Sequence, residues 1–279
     1  MKKVAVIQDI SGFGRCSLTA ALPVLSCMGI QVCPVPTAVL TGQTGYPDYR
    51  MQDCGRMIGA CIDRWSAQGV ELDAIYTGFL ASGLQGRQVH RFVRAFRRPG
   101  TLLLVDPVLG DHGELYPTAD EAVVRQMRLL VRQADVITPN LTEACLLADV
   151  PYAAVDAAQP RALRMRRIRE IGRRLMTPSR QLVVITGIMA DHRGSRAVGN
   201  LVCMPAGEQM VWTKASGGSY SGTGDLFASA LLGGLLCQQD PVKAVRRAAR
   251  MIEKAAERSF AAGTDPREGV AFETFLKTL

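Results

Sequence analysis

Short runs rich in Val, Ile and Leu recur along this chain, and longer stretches of helical periodicity lie between them. The runs cover 4–7, 32–35, 74–77, 102–105, 136–138 and 182–186, followed by 197–203 and 209–212. Helices are predicted over 17–28, 53–68, 83–96, 118–132, 142–148 and 159–176. Two more follow Asp225, one through Cys237 and one over 241–259. Continuous apolar strands alternating with helices imply a mostly parallel sheet covered on both faces, because every strand buries two sides and every parallel crossover needs a helix. No linker or change of composition interrupts the series. Residues 1–279 are therefore expected to form a single α/β domain, a three-layer α/β/α sandwich. The segment 36–50 (PTAVLTGQTGYPDYR) has little periodicity and is expected to project from the sheet edge as a small strand or lid loop.

Several function classes drop out early. Apolar residues make up 48% of the chain, which excludes disorder. The opening MKKVAVIQDI mimics a signal peptide, but its apolar run is short and ends in Gln8 and Asp9. No stretch reaches the roughly 18 apolar residues of a membrane span, so no membrane partner is expected. Eight cysteines occur without a CxxC pair, which argues against zinc and a disulfide framework and favours a reducing, cytoplasmic location. Lys and Arg number 33 against 25 Asp and Glu, a net charge of +8. The arginines interleave with apolar residues at helical spacing. Met165, Ile168, Ile171 and Leu175 form one stripe, with Arg164, Arg166, Arg167, Arg173 and Arg174 mostly off it, which reads as a solvated face. Nucleic acid is not an expected partner, although a basic exterior steers small polyanions.

In parallel sheets, ligands collect beyond the carboxyl ends of the strands. Asp9, Ser11 and Gly12 follow the first strand, and Asp106-Pro107-Val108-Leu109-Gly110-Asp111 follows 102–105. Pro139, Asn140 and Glu143 follow 136–138, and Thr186 with Gly187 follows 182–185. The sharpest feature is Gly218–Asp225 (GSYSGTGD), which opens directly onto a helix. Unpaired amides and the positive end of a helix dipole suit a phosphate there, and Asp225 stands ready to take a proton from an attacking hydroxyl. The competing explanation is a plain helix cap by Thr223 or Asp225. Asp106, Asp111 and Glu143 are hard oxygen donors that suit Mg²⁺ held largely through water and phosphate. Singly, Asp106 also reads as a turn residue before Pro107, and Glu143 as first-turn charge on a helix capped by Asn140 or Thr142. Together these parts specify phosphoryl transfer: Asp225 as base, Gly222, Thr223 and Gly224 as anion hole, and the acids for metal. Ser11, Thr44 and Asp9 are weaker candidates for lining a substrate pocket. Thr186 is a weaker candidate for touching nucleotide or a monovalent cation.

GTGD (Gly222–Asp225) and NLTE (Asn140–Glu143) resemble the anion-hole and metal motifs of the ribokinase superfamily. More closely, the chain resembles the pyridoxal kinases, which also act as pyridoxine/pyridoxamine kinases. The residues that carry this are IQDISGFG (7–14), TGQTGYP (41–47), YTGFLAS (76–82), DPVLGDHGELY (106–116), ITPNLTEACLL (137–147), VITG (184–187) and GTGDLFASALL (222–232). They run from end to end in the family's order. The resemblance implies a ribokinase-like fold and ATP-dependent phosphorylation of the 5′-hydroxymethyl group of pyridoxal, pyridoxine or pyridoxamine. It implies that Ser11 and Thr44 meet the ring's polar substituents, Phe79 packs on the ring, and Asp225 activates the hydroxymethyl. Asp106, Asp111 and Glu143, with Asn140 of the same motif, would manage Mg²⁺–ATP. Thr138, Thr186 and Thr223 would lie along the phosphates or a K⁺ or Na⁺ site, with Ser216, Gly217 and Gly218 on the adenine side. A homodimer is also implied. Where Phe79 stands, many family members carry Tyr. Two other readings stay open: hydroxymethylpyrimidine kinase of thiamine biosynthesis, and a non-catalytic vitamin- or nucleotide-binding protein, against which the intact Asp225 weighs.

Overall fold

The computed structural model describes residues 1–177, 182–215 and 217–279. The chain opens with β1 (Lys3–Ser11), α1 (Ser17–Cys27), β2 (Gln31–Leu40), a short β3 (Met51–Asp53) and α2 (Gly55–Ala67). Next come β4 (Ala74–Thr77), α3 (Gly83–Phe96), β5 (Leu102–Val105), the two-residue strands β6 (Gly110–Asp111) and β7 (Glu114–Leu115), and α4 (Glu121–Gln133). Then follow β8 (Val136–Ile137), α5 (Leu141–Leu147), α6 (Arg161–Leu175), and the antiparallel run β9 (Leu182–His192), β10 (Ser195–Met204) and β11 (Gly207–Lys214). Two long helices, α7 (Thr223–Leu236) and α8 (Pro241–Ala261), precede short 3₁₀ turns at the C-terminus.

One sheet carries the order β11-β10-β9-β8-β5-β4-β1-β2-β3. Its interior pairs, from β9 across to β2, are parallel, and antiparallel strands close both edges. Side chains alternate across the sheet, as a period of two requires. Val4 and Val6 of β1 pack with Tyr76 and Leu104 against α1, α7 and α8. Ala5 and Ile7 pack with Ile75, Leu103 and Val105 against the other helical layer, α2 to α6. Each such buried aliphatic side chain contributes about 1.5–3 kcal/mol relative to exposure, so the two faces together outweigh any single polar feature of the site. These are the three expected layers.

Two local features add to the sequence reading and a third departs from it. Residues 107–116 carry the hairpin β6–β7: His112 (φ 52°) and Gly113 (φ 88°) make the two-residue positive-φ turn that matches strand twist. Residues 41–50 follow the extended β2 and return along it as β3, so the edge is a narrow antiparallel ribbon. Arg164 does not belong to a solvated face. It is 7% exposed, and its guanidinium donates to the carbonyls of Val155 and Met189, both at 2.6 Å. The spacing 164, 168, 171, 175 puts it on the same stripe as Ile168, Ile171 and Leu175.

Candidate active site

At the start of α7 the competing explanations of the glycine-rich loop separate. Gly222 is the N-cap residue, in the left-handed region at φ 76°, and no side chain caps the helix. A Cβ on Gly222 would collide with the carbonyl oxygen of Arg15, so this turn requires glycine in both conformation and space. Thr223 does not bond the first amides; its hydroxyl donates to the Tyr220 carbonyl at 3.1 Å. Asp225 does not cap either. Its Oδ1 accepts from Gln8 Nε2 at 3.3 Å, and it also accepts the Ser17 amide. The first-turn amides of α7 therefore remain for an anion, with Gly224 exposed beside them and Asp225 half-buried.

Acidic groups converge on the same spot. A methyl group built on Gly224 would touch Asp106 Oδ2 at 3.9 Å, so the start of α7 and the end of β5 face one another. Burial pushes the Asp225 carboxyl up to about 8, helped by the charges of Asp106 and Asp9. Burial raises Asp106 to about 6, against a 2.8 Å hydrogen bond donated by the Thr138 hydroxyl. Asp9 is raised by burial too, tempered by hydrogen bonds from Ser17 and Ser11. Ser17 is itself strained, a serine at φ 48° whose backbone N–H serves Asp225. Burial, then the Asp106 charge, holds Glu143 well above the usual carboxylate range.

Glu143 sits in a capping box. Its Oε2 accepts the Asn140 amide at 2.8 Å, the Asn140 Oδ1 accepts the Glu143 amide at 3.0 Å, and Glu143 Oε1 accepts the Leu109 amide at 3.0 Å. Asn140 Nδ2 reaches on to the Gly110 carbonyl at 2.7 Å. The motif thus pins the loop after β5, where Asp106 and Asp111 lie, to the loop after β8. Asp111 is more open: its side chain is 42% exposed and accepts the His112 amide. Thr186 joins the same edge through its amide to the Pro139 carbonyl at 2.9 Å and a bridge to Asn140.

The chain belongs, in sequence and in structure, among known kinases. A family profile described as phosphomethylpyrimidine kinase matches residues 17–268.

This chain is a member of the phosphomethylpyrimidine kinase family.

Within that family it is similar to a candidate phosphomethylpyrimidine kinase of Bacteroides thetaiotaomicron, solved in a form with pyridoxal, with a TM-score of 0.90 and 38% identity over 99% of this chain and 94% of that one. A pyridoxal kinase of Lactobacillus plantarum superposes with a TM-score of 0.86 at 30% identity, over 99% of this chain and 96% of that one. A pyridoxine/pyridoxal/pyridoxamine kinase of Bordetella bronchiseptica is 27% identical over 270 residues, 93% of this chain and 90% of that one.

For a member of this kinase family, the expected substrate residues divide. Phe79 is buried in a small apolar cluster with Ala38 and Leu40, flanked by Tyr49 and Val108. Thr44 is exposed on the segment above it. That segment is held by Gln43, which takes the Gly45 amide at 2.7 Å and donates to the Arg267 carbonyl at 3.2 Å, and by the Tyr46 ring against Phe13 at 5.4 Å. Ser11 is 1% exposed and its hydroxyl donates to Asp9 at 2.9 Å. Residues two apart on a strand share a face, which turns Ser11 toward Asp9 rather than outward. Gly217 and Gly218 are exposed, and Gly217 (φ 78°) lies against the Phe260 ring. Ser216 lies outside the described residues. The sequence reading missed Gln8, whose side chain donates to Asp225. Its signal was there: a polar residue continuing the Val4, Val6 face of a buried strand.

Among the described residues no group of three or more His, Cys, Asp and Glu side chains forms a ready metal site. The donor set still fits a hydrated Mg²⁺. Four carboxylates are destabilised by burial, and the groups that lower them are hydroxyls and backbone amides rather than Lys or Arg. A divalent cation with its own water and phosphate ligands relieves that arrangement.

Proposed function

We propose that this protein phosphorylates the 5′-hydroxymethyl group of a B6 vitamer with ATP, giving pyridoxal 5′-phosphate or the corresponding vitamer phosphate. One observation carries the reading: Asp225 stands at an uncapped helix start, its proton affinity raised, with both candidate caps engaged elsewhere. A raised carboxylate pKa suits a general base near neutral pH. In the proposed step, the substrate oxygen attacks the γ-phosphorus of ATP while Asp225 takes the hydroxyl proton. The new O–P bond forms as the bond to the ADP oxygen breaks. The free amides of Gly222, Thr223 and Gly224 receive the charge on the moving phosphoryl group.

Phe79 would pack on the vitamer ring under Thr44, with Ser11 and Asp9 below. Mg²⁺ would be held through waters by Asp106, Glu143 and Asp111, with the Thr138 hydroxyl orienting Asp106. Bound there, it would neutralise phosphate charge. Asn140 would fix the loops, and Thr186, Thr223, Gly217 and Gly218 would line the nucleotide path. A K⁺ or Na⁺ requirement is proposed near Thr138 and Thr186, read by replacing both ions with choline. Residues 1–279 would work as a single kinase domain with 36–50 as its lid. A homodimer is supported by the exposed Val39, Met51 and Met57 around edge strand β3 and is tested by sedimentation. No helix among the described residues is long and apolar enough to cross a membrane. The cysteines are all free, which supports a cytoplasmic location.

Steady-state kinetics with Mg²⁺–ATP and each of pyridoxal, pyridoxine, pyridoxamine and hydroxymethylpyrimidine test the reading. The expected result is turnover of a B6 vitamer that Asp225→Ala lowers by about 10²–10⁴-fold while ligand binding persists. A hundredfold preference for the pyrimidine overturns the substrate, and undiminished turnover by Asp225→Ala overturns the base.

A further inference from the structure

Beneath Asp225 lies a buried polar cluster that the proposed chemistry does not use. Gln8, Tyr76 and Ser229 are each 0% exposed. Gln8 extends the Val4, Val6 face of β1 toward α7, and Tyr76 pairs with Val6 on the neighbouring strand β4. Ser229 stands one helical turn after Asp225. The Gln8 amide nitrogen donates to Asp225 Oδ1 at 3.3 Å, while Gln8 Oε1, Tyr76 OH and Ser229 Oγ make no hydrogen bond of proper geometry. The Tyr76 hydroxyl nevertheless faces Gln8 and Ser229 as well as the charges of Asp106 and Asp225. Leaving such atoms unpaired in the interior costs about 1–3 kcal/mol each, so their retention beside one carboxylate calls for a reason.

Gly78 supplies the second observation. A Cβ there would lie 2.6 Å from Gln8 Nε2 and 3.1 Å from Gln8 Cγ. The absence of a side chain at 78 is what lets the Gln8 amide occupy its place.

We propose that Gln8, seated against Gly78 and backed by Tyr76, is the positioning residue of Asp225. Its N–H fixes Oδ1, the Ser17 amide adds a second anchor, and the remaining carboxylate lone pairs are left aimed at the substrate hydroxyl. A carboxylate anchored from behind keeps its attack geometry without reorganising, and small displacements at such a group are expensive in rate. The inference rests on the reading of Asp225 as the base, so Asp225→Ala is measured beside it.

The experiment compares Gln8→Leu and Gly78→Ala with the parent in steady-state kinetics against a B6 vitamer and ATP. Gln8→Leu keeps the bulk and removes the donor; Gly78→Ala leaves Gln8 and Asp225 chemically intact and displaces the amide. Both are expected to lower kcat by about tenfold to a hundredfold with both KM values nearly unchanged, a split that mere loosening of the fold would not produce. Parent-like kcat in folded Gln8→Leu overturns the proposal. If that variant is not recovered folded, parent-like kcat in Gly78→Ala does so. Loss of turnover in Asp225→Ala together with parent-like Gln8→Leu removes the positioning role alone, whereas active Asp225→Ala removes the base beneath it.

Discussion

Gln8, Asp9, Ser11 and Asp106 are sealed around the start of α7, while Thr186, Gly217 and Gly218, on the side assigned to nucleotide, lie partly or fully open. The sealed side is held by direct contacts: Ser11 to Asp9, Thr138 to Asp106, Gln8 to Asp225 and the Glu143–Asn140 box. The open side is tied mainly through Pro139 and Asn140. With the roles proposed above, the proton-transfer end would be organised before any ligand arrives, and the nucleotide would itself complete the other end. Preorganisation belongs where charge develops; looseness is tolerable where a large ligand brings its own contacts.

The most severe way to break this contrast is Gly222→Ala. Positive φ and the Arg15 carbonyl both exclude a side chain there. Steady-state assays should show kcat down on the order of 10²–10³-fold, the scale of losing an anion-hole donor. A parent-like rate would mean that the sealed side is not preformed.

Proton affinity offers a sharper test. As the proposed base, Asp225 must be ionised to act, so activity should be lost as pH falls below its pKa, about tenfold per unit. In the ligand-free protein that value is about 8, and kcat/KM for ATP should bend there. Bound Mg²⁺–ATP carries a net negative charge, which should move the bend in kcat to higher pH. Coincident bends would deny the electrostatic link between the two sides.

On the open side, Thr186→Val should raise KM for ATP by about threefold to tenfold, the worth of one hydrogen bond, with kcat nearly unchanged. A large kcat effect would mean that this side is as finely organised as the other.

The smallest effect is on stability. Because the folded-state pKa of Asp225 is raised from 3.8 to about 8, its contribution is fully favourable only at low pH and is lost as pH rises across that interval. Asp225→Asn should therefore raise the melting midpoint of the ligand-free protein at pH 8 by a few degrees, about 1–2 kcal/mol, while abolishing turnover. An unchanged or lower midpoint would show that the carboxylate is not under burial strain.

Many strands and helices were legible because apolar runs and apolar periodicity mark them: β4, β5 and α3 fall on the expected residues. The short hairpin β6–β7 was not, since two-residue strands leave no periodic trace and only His112-Gly113 marks the turn. Arg164 was misassigned because residue type outweighed spacing; a long side chain buries its stem and spends its head on two carbonyls. At the site, glycine and acid motifs named Asp225, Asp106 and Asn140, residues whose chemistry is distinctive. Gln8 escaped notice because a lone amide in a strand carries no motif, and the Ser11–Asp9 bond because the sequence does not say which neighbour a hydroxyl donates to.

Gln8 and Asp225 meet across 217 positions of sequence. The first strand leaves the ribosome long before the helix that must dock on it. Until α7 is made, the place that Gln8 and Gly78 form beside it holds no carboxylate. Any chain that stops short of α7 lacks Asp225 and with it the contact to Gln8.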